Sequence, residues 1–508
     1  MADRLHTVGI TVVACAAMIG AAVGPATGPR TGKLTAPGNG HYYDAGRPWS
    51  QGSALPHPGL AAAHAGATVT VSEYKRSHVV PARYSGLSID PANICYVLDL
   101  ARADPAFVQL FKNLGPGILR VGGNTGDRKA LWSTTGTASC SWRHDVVTPA
   151  LVAAFFAFAR SVGYQVMWQV PLGNEKLGND QIARDAAEAA YVSAERGLYS
   201  IEIGNEPNFY HDAATQYKNY IRDWATIYWD YLADGGTAMI TGPAVMSSHS
   251  FYLPPFLKAD ATHLGVLTLH YYAGSARRSP TCGDLLQVRH LQSVTSRDAA
   301  LARSYGLPFI MNETNTYTHY GMPGVSNAFC SALWAADYMV TGLKNGVQGV
   351  FFHGTADYPP GNTTGHFQYY TPINENGTPA PEYYGLLFYH EVAKGGGSQV
   401  AATTANVSNF GAYAVTGKDG TLRLALINLN GAPQALTINT ANSYGHASEL
   451  TLTAPSLTSL SGVTFGRASV AANGKWTPKP RPVAVNGTTS ALAVPADSAV
   501  VVTYSPFS

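Results

Sequence analysis

This chain carries little charge: Asp, Glu, Lys and Arg make up 13% of its 508 residues, and the formal net charge is +2. That balance supplies neither the basic field that nucleic acid demands nor the polybasic tract of a membrane-surface binder, which excludes a polyanion captured by bulk charge. Cysteine is rare too, with five residues whose spacing resembles no metal site. After residue 24 no uninterrupted apolar stretch approaches the length of a spanning helix. A Gly-rich phosphate loop is also missing: Gly122-Gly123-Asn124 closes a β-rich run but lacks the dinucleotide spacing and precedes no acidic ribose ligand at the right distance. No cofactor and no metal are implied. Aromatics are plentiful, with 29 Tyr, 17 Phe and 8 Trp, but they fit a large core and a tyrosine-rich β-domain as well as they fit sugar stacking, so they decide nothing.

The length predicts a large domain of about 250 to 300 residues with a smaller companion. Residues 1–24 carry Arg4 and then the uncharged run 8–23, the pattern of a secretory signal, with a retained membrane anchor as the alternative. A secreted, extracellular chain is therefore expected. Residues 25–66, rich in Pro, Gly and Ala, have too little periodic apolar content to pack and read as a disordered linker. Residues 67–80 open on the alternating Ala67-Thr68-Val69-Thr70-Val71, a strand that precedes the main pattern without belonging to it.

Eight β-rich runs follow, at residues 84–90, 117–123, 165–172, 200–205, 238–244, 265–272, 308–312 and 346–353. Helical stretches at 105–114, 149–162, 180–196, 213–232, 286–305 and 327–344 lie between them. Strand and helix alternating around eight strands predict an α/β fold, a (β/α)8 TIM barrel over residues 81–385, with an open doubly wound sheet as the competitor. Residues 386–508 change to short alternating runs separated by Asp419-Gly420, Asn430-Gly431 and Asn486-Gly487, the pattern of an appended β-sandwich that the strand near residue 68 would join. Cys15 leaves with the signal, and the remaining four cysteines suit an oxidising compartment. Three pairings are possible; Cys95 with Cys140 and Cys282 with Cys330 would each join neighbouring barrel loops, and free buried thiols are the alternative.

Two of the eight runs break off at a glutamate flanked by asparagine: Ile201-Glu202-Ile203-Gly204-Asn205-Glu206-Pro207-Asn208 and Phe309-Ile310-Met311-Asn312-Glu313-Thr314-Asn315. Buried parallel strands of this kind deliver carboxylates to the mouth of a barrel, here after the fourth and seventh strands. A carboxyl pair on either side of one opening is what glycosidic hydrolysis requires, one to protonate the leaving oxygen and one to meet the charge growing on the sugar. On charge grounds alone either glutamate can take either role. Period-two alternation puts His270 and Tyr272 of the sixth run on one face, where a tyrosine would donate to Glu313 or the two would merely satisfy each other. Asp90 and Asn93, Gly123 and Asn124, and Asn174 and Glu175 follow the first three runs and occupy the same rim, for sugar hydroxyls or as ordinary loop polarity.

Asn205-Glu206-Pro207 resembles the acid/base motif of retaining (β/α)8 glycosidases. The longer segments Ile203-Gly204-Asn205-Glu206-Pro207-Asn208, Gly324-Val325-Ser326-Asn327-Ala328 leading into Ser331-Ala332-Leu333-Trp334-Ala335-Ala336-Asp337-Tyr338, and Phe352-His353-Gly354 together resemble glycoside hydrolase family 79, the β-glucuronidase and heparanase-related group. That resemblance implies a barrel with an appended β-domain, Glu206 as acid/base, Glu313 as nucleophile and Asn205 on the sugar's 2-hydroxyl. It also implies that residues 316–321, with Tyr317, Tyr320 and Gly321, face the substrate carboxylate, although no Arg or Lys lies in that loop. The expectation is a secreted exo-acting β-glucuronidase on a carbohydrate substrate, with no nucleic-acid partner and, after signal removal, no membrane partner. A neutral β-glycosidase, an endo-acting heparanase-like hydrolase and a noncatalytic carbohydrate-binding protein are the alternatives.

Overall fold

The computed structural model describes residues 66–140, 145–172, 179–209, 213–246, 250–356 and 368–507. The expected signal, the linker up to residue 65, Asn174 and Glu175 lie outside the described residues.

Eight parallel strands close into a barrel: Ser85–Ile89, Ile118–Val121, Gln165–Val170, Leu198–Ile203, Ile240–Met246, Val266–Ser275, Phe309–Thr318 and Gly349–His353. Each overlaps one expected run, and the eighth pairs back onto the first from Val350 with Ser85 to His353 with Ser88. Side chains pointing to the axis change character along the barrel. At its amino-terminal end Ile118, Met167, Val266, Ile310 and Phe351 form an apolar plug, and Gly86 leaves the space that Phe351 fills, since a Cβ there would lie 2.1 Å from its ring. Two residues further along, the same faces present Ser88, Arg120, Thr268 and His353, and Glu202 and Asn312 join them in one buried polar layer. The seventh strand carries a β-bulge: Met311 pairs with Leu269 and Glu313 with His270, so Asn312 is the extra residue. That irregularity lets both Asn312 and Glu313 turn toward the axis.

All six expected helices form, as Pro105–Asn113, Pro149–Ser161, Asn179–Ser193, Ala213–Ala233, Val288–Ser304 and Phe329–Asn345. Asp104 and Thr148 cap the first two, each accepting a backbone N–H of the first turn before a proline whose missing donor is not needed there. Ile94–Ala103, Leu253–Asp260 and Pro381–Ala393 are further helices. The last of these spans the expected domain boundary at 385, so the barrel layer runs on to Ala393 and the sheet begins at Ser398.

The carboxy-terminal strands and Thr68–Val79 hydrogen-bond into one continuous sheet. Thr68–Val79 lies inside it, antiparallel to Ser398–Ala405 and parallel to Gln434–Asn439. Its strands Phe410–Thr416, Leu422–Asn428 and Ser498–Ser505 are largely buried on both faces, whereas Gln434–Asn439 and Thr489–Val494 leave one face exposed. Ala412, Ala414, Leu424, Leu426, Val500 and Val502 enclose its own core with Val69, Val71, Leu436 and Ile438, whereas the alternate residues Tyr413, Val415, Ala425, Ile427, Ala499 and Val501 join the core of the barrel. A loop of this domain also reaches the helix Phe329–Asn345, where the carbonyls of Ser459 and Leu457 accept the N–H groups of Phe329 and Cys330. Both expected disulfides, Cys95–Cys140 and Cys282–Cys330, are present. Among the described residues no helix is long and apolar enough to cross a membrane.

Candidate active site

Beyond the fourth strand the chain turns sharply. Gly204 has φ +82°, and a Cβ on it would sit 2.9 Å from that of Leu172. Asn205 gives its backbone N–H to Asp127 at 3.1 Å, and Glu206 gives its own to Ala244 at 2.9 Å while holding φ at +45°. A left-handed glutamate is strained, and the strain is held by these two anchors. It aims the Glu206 carboxyl into the mouth, where Oε1 lies 2.9 Å from Nδ1 of His270.

Glu313 faces it. One oxygen accepts from Arg120 Nη1 at 2.7 Å and the other from the Tyr272 hydroxyl at 2.9 Å, with His270 Nδ1 3.7 Å away. Glu206, His270 and Glu313 each present a donor atom within 4.8 Å of the others, so the two carboxyls share one opening. Burial alone would raise the Glu313 pKa, but the charges of His353, His270 and Arg120 outweigh it and hold the carboxyl well below the usual carboxylate range. Tyr272 moves the opposite way: burial, then Glu313 and Tyr370, push its hydroxyl far up, so it stays protonated and donates. Its ring lies 5.5 Å from that of Tyr370.

Beneath the mouth Arg120 is fully buried and spends its donors on four partners. Nε meets Glu202 at 2.8 Å, Nη2 meets Glu202 and Asn205 at 2.6 Å each, and Nη1 meets Ser88 at 3.1 Å besides Glu313. Burial works against its charge, and Glu202 and Glu313 more than offset that, so Arg120 stays cationic. Arg120 and Glu202 escape a sequence reading because each is a single polar residue in an apolar strand, with nothing local to say which face it takes. Period-two counting from the plug residue Ile118 would have turned Arg120 inward.

The other expected residues divide. Asn205, His270 and Tyr272 converge on the two glutamates. Asn124 is exposed at the rim, 3.5 Å from the Asn205 side-chain amide. Asp90 is buried, accepts from Ala92 N–H at 3.1 Å and from the Thr125 hydroxyl, and lies under Gly123, where a Cβ would come within 2.6 Å of it. Asn93 is buried in the same turn. Tyr317 does not join the mouth: its ring packs in the main core, and burial and Asp284 raise its hydroxyl pKa. Tyr320, 37% exposed, and Gly321 lie on a stretch where His319, Tyr320 and Gly321 all have positive φ. The Tyr320 carbonyl accepts from Tyr369 N–H at 2.7 Å, and a Cβ on Gly321 would sit 2.8 Å from the Tyr370 nitrogen, so this loop is pinned to the segment after the eighth strand. Although the loop holds no Arg or Lys, Arg277 lies near enough to help burial lower the His319 pKa.

Glu206, His270 and Glu313 are also the described residues whose donor atoms are grouped closely enough to hold a metal ion. Arg120 against Glu313 disfavours a second cation there, and the bond between His270 and Glu206 already uses both groups. The arrangement suits proton transfer and nucleophilic attack.

A closed eight-stranded barrel with an attached β-domain is the architecture of barrel glycoside hydrolases, and the solved structures this chain resembles are of that kind. Among them is a 4-O-α-L-rhamnosyl-β-D-glucuronidase from Fusarium oxysporum in complex with Rha-GlcA, with a TM-score of 0.70 and 19% identity over 85% of this chain and 100% of that one. A family 51 arabinofuranosidase from Xanthomonas axonopodis pv. citri gives a TM-score of 0.63 at 14% identity over 86% and 100% of the two chains. In sequence the chain is similar to a β-glucuronidase of Aspergillus niger, 22% identical over 353 residues, 61% of this chain. The match spans 64% of that relative, under two thirds of its length. No family model matches the chain.

Proposed function

We propose that this protein is a secreted retaining exo-β-glucuronidase related to glycoside hydrolase family 79, with Glu313 as nucleophile and Glu206 as acid/base. The observation that carries the reading is a pair of carboxyls with oxygens within 4.8 Å and unlike surroundings. Retaining enzymes hold their carboxyls about 5 to 5.5 Å apart, whereas inverting ones leave about 6.5 to 9.5 Å for a water. Glu313, held ionised by Arg120 and Tyr272, attacks the anomeric carbon as Glu206 gives its proton to the glycosidic oxygen, and the aglycone departs. Glu206 then takes a proton from water, whose oxygen displaces Glu313 from the glycosyl ester with a second inversion. Asn205, held through Arg120, receives the 2-hydroxyl.

The glucuronide preference is supported by the Aspergillus and Fusarium proteins, both glucuronidases, and by the loop of Tyr320 and Gly321 beside Arg277, where a substrate carboxylate finds donors. Two disulfides and the leading run 8–23 support export. The test is release of aryl alcohol from β-glucuronide, β-glucoside, β-galactoside and β-xyloside, with the first-formed anomer followed by proton NMR. Preferred turnover of glucuronide to the β-anomer is expected. Preference for a neutral glycoside overturns the substrate, and a first-formed α-anomer overturns the mechanism.

A further inference from the structure

We propose that Glu202 is a positioning residue of the hydrolytic site, one that orients the Arg120 guanidinium so that one nitrogen meets Glu313 and another meets Asn205. The inference rests on the glycosidase reading above and concerns a residue of the fourth strand, four positions before Glu206.

Glu202 and Arg120 are both fully buried. A guanidinium is a rigid planar fork, so fixing two of its nitrogens fixes the third. Glu202 Oε1 receives Nε at 2.8 Å and Nη2 at 2.6 Å, which sets the plane and leaves Nη1 pointing at Glu313 Oε2. The carboxylate is itself held from the far side: Oε2 accepts from the Asn312 amide and, at 3.5 Å, from the Thr268 hydroxyl. Strands two, four, six and seven are thereby cross-braced through one side chain, and the extra residue of the bulge, Asn312, is one of the braces. Among the described residues Nε of Arg120 has no other acceptor.

The plainer reading makes Glu202 only a counter-charge for a buried arginine. The two readings differ in sign. Removing a mere counter-charge leaves Arg120 in place and takes a negative charge away from Glu313, so the acidic limb of activity falls to lower pH or stays. Removing an orienting group loosens Arg120 from Glu313, so that limb rises. The groups facing Glu313 are Arg120, His270, His353, Tyr272 and Glu206, and all remain in the variant.

Glu202→Gln keeps the shape. Every partner of Glu202 is a donor, so whichever way the amide turns, its NH2 confronts Arg120 or Asn312. Measured on the aryl glycoside that the wild type cleaves, kcat is expected to fall about 30-fold or more with KM changed less than about threefold, and the acidic limb to rise by about half a pH unit. A kcat within about threefold of wild type, or a limb that falls, overturns the proposal. Should the wild type cleave none of the glycosides, the glycosidase reading fails by itself; the titration of Glu313 followed by carboxyl carbon-13 NMR in wild type and Glu202→Gln then decides, with an upward shift expected and a downward or absent shift overturning it. If Glu202→Gln does not fold, Glu202→Asp, which keeps the charge and withdraws it by one methylene, carries the same expectations.

Discussion

At Glu313 burial and charge oppose one another, and charge wins because Arg120, His270 and His353 surround the carboxyl from three strands. Among the described residues the Glu206 carboxyl makes one short bond, to His270, and has no cation as near as Arg120 is to Glu313. This asymmetry makes the roles separable by substitution. Glu313→Gln should lower kcat by at least about 10⁴-fold with the fold intact, since no glycosyl ester can form. Glu206→Gln should lower it about 10² to 10⁴-fold on glycosides with poor leaving groups and much less on a dinitrophenyl glycoside. Added azide should restore turnover of Glu206→Gln as a β-glycosyl azide, because an anionic nucleophile needs no base. An α-azide from Glu206→Gln, or a β-azide from Glu313→Gln, would reverse the assignment. Both glutamates are legible in sequence because each ends an apolar run next to asparagine. Arg120 is not, since a cation within Ile-Leu-Arg-Val shows its direction only after the barrel closes and supplies Glu202 and Glu313.

Elements of this barrel are stabilised by packing, but one helix hides two acids against it. On Asn179–Ser193, Asp185 and Glu188 face inward: Asp185 accepts from Gln181 at 2.7 Å, and Glu188 accepts from the Trp168 indole at 2.8 Å. Burial, then mutual repulsion, pushes Asp185 up to about 9, and burial pushes Glu188 up to about 7. A carboxyl whose folded pKa is raised keeps a proton that the unfolded chain releases, so stability falls as pH rises from about 4 toward the folded value. Asp185→Asn mimics the protonated form. It should change stability little near pH 4 and add on the order of a few kcal/mol at pH 8, read from denaturant midpoints at the two pH values. Equal effects at both would show that Asp185 is ionised in the fold. Element type follows sequence closely where one face is apolar, as in the helices from Pro105–Asn113 to Val288–Ser304. It fails for Pro381–Ala393, whose residues from Pro381 to Tyr389 are all buried between barrel and sheet, so no polar stripe marks a helical period. The loop tyrosines fail differently, because Tyr317 and Tyr320 look alike in sequence and only tertiary packing sends one into the core.

In the whole molecule the barrel and the sheet share a core through Tyr413, Val415, Ala425, Ile427, Ala499 and Val501, and the strand Thr68–Val79, which precedes the barrel in the chain, lies inside the sheet. Calorimetry should therefore show one cooperative transition. A chain beginning at residue 81 should melt at least roughly 10 °C lower, since two strands lose a neighbour and the inner core loses Val69 and Val71. Unchanged melting would mean that the strand is an ornament on the sheet. That strand's place between Ser398–Ala405 and Gln434–Asn439 also has a bearing on biogenesis. It leaves the ribosome ahead of every other described strand and must wait until synthesis passes Ser398 before either neighbour exists, a delay during which its bare edges invite pairing with other nascent chains.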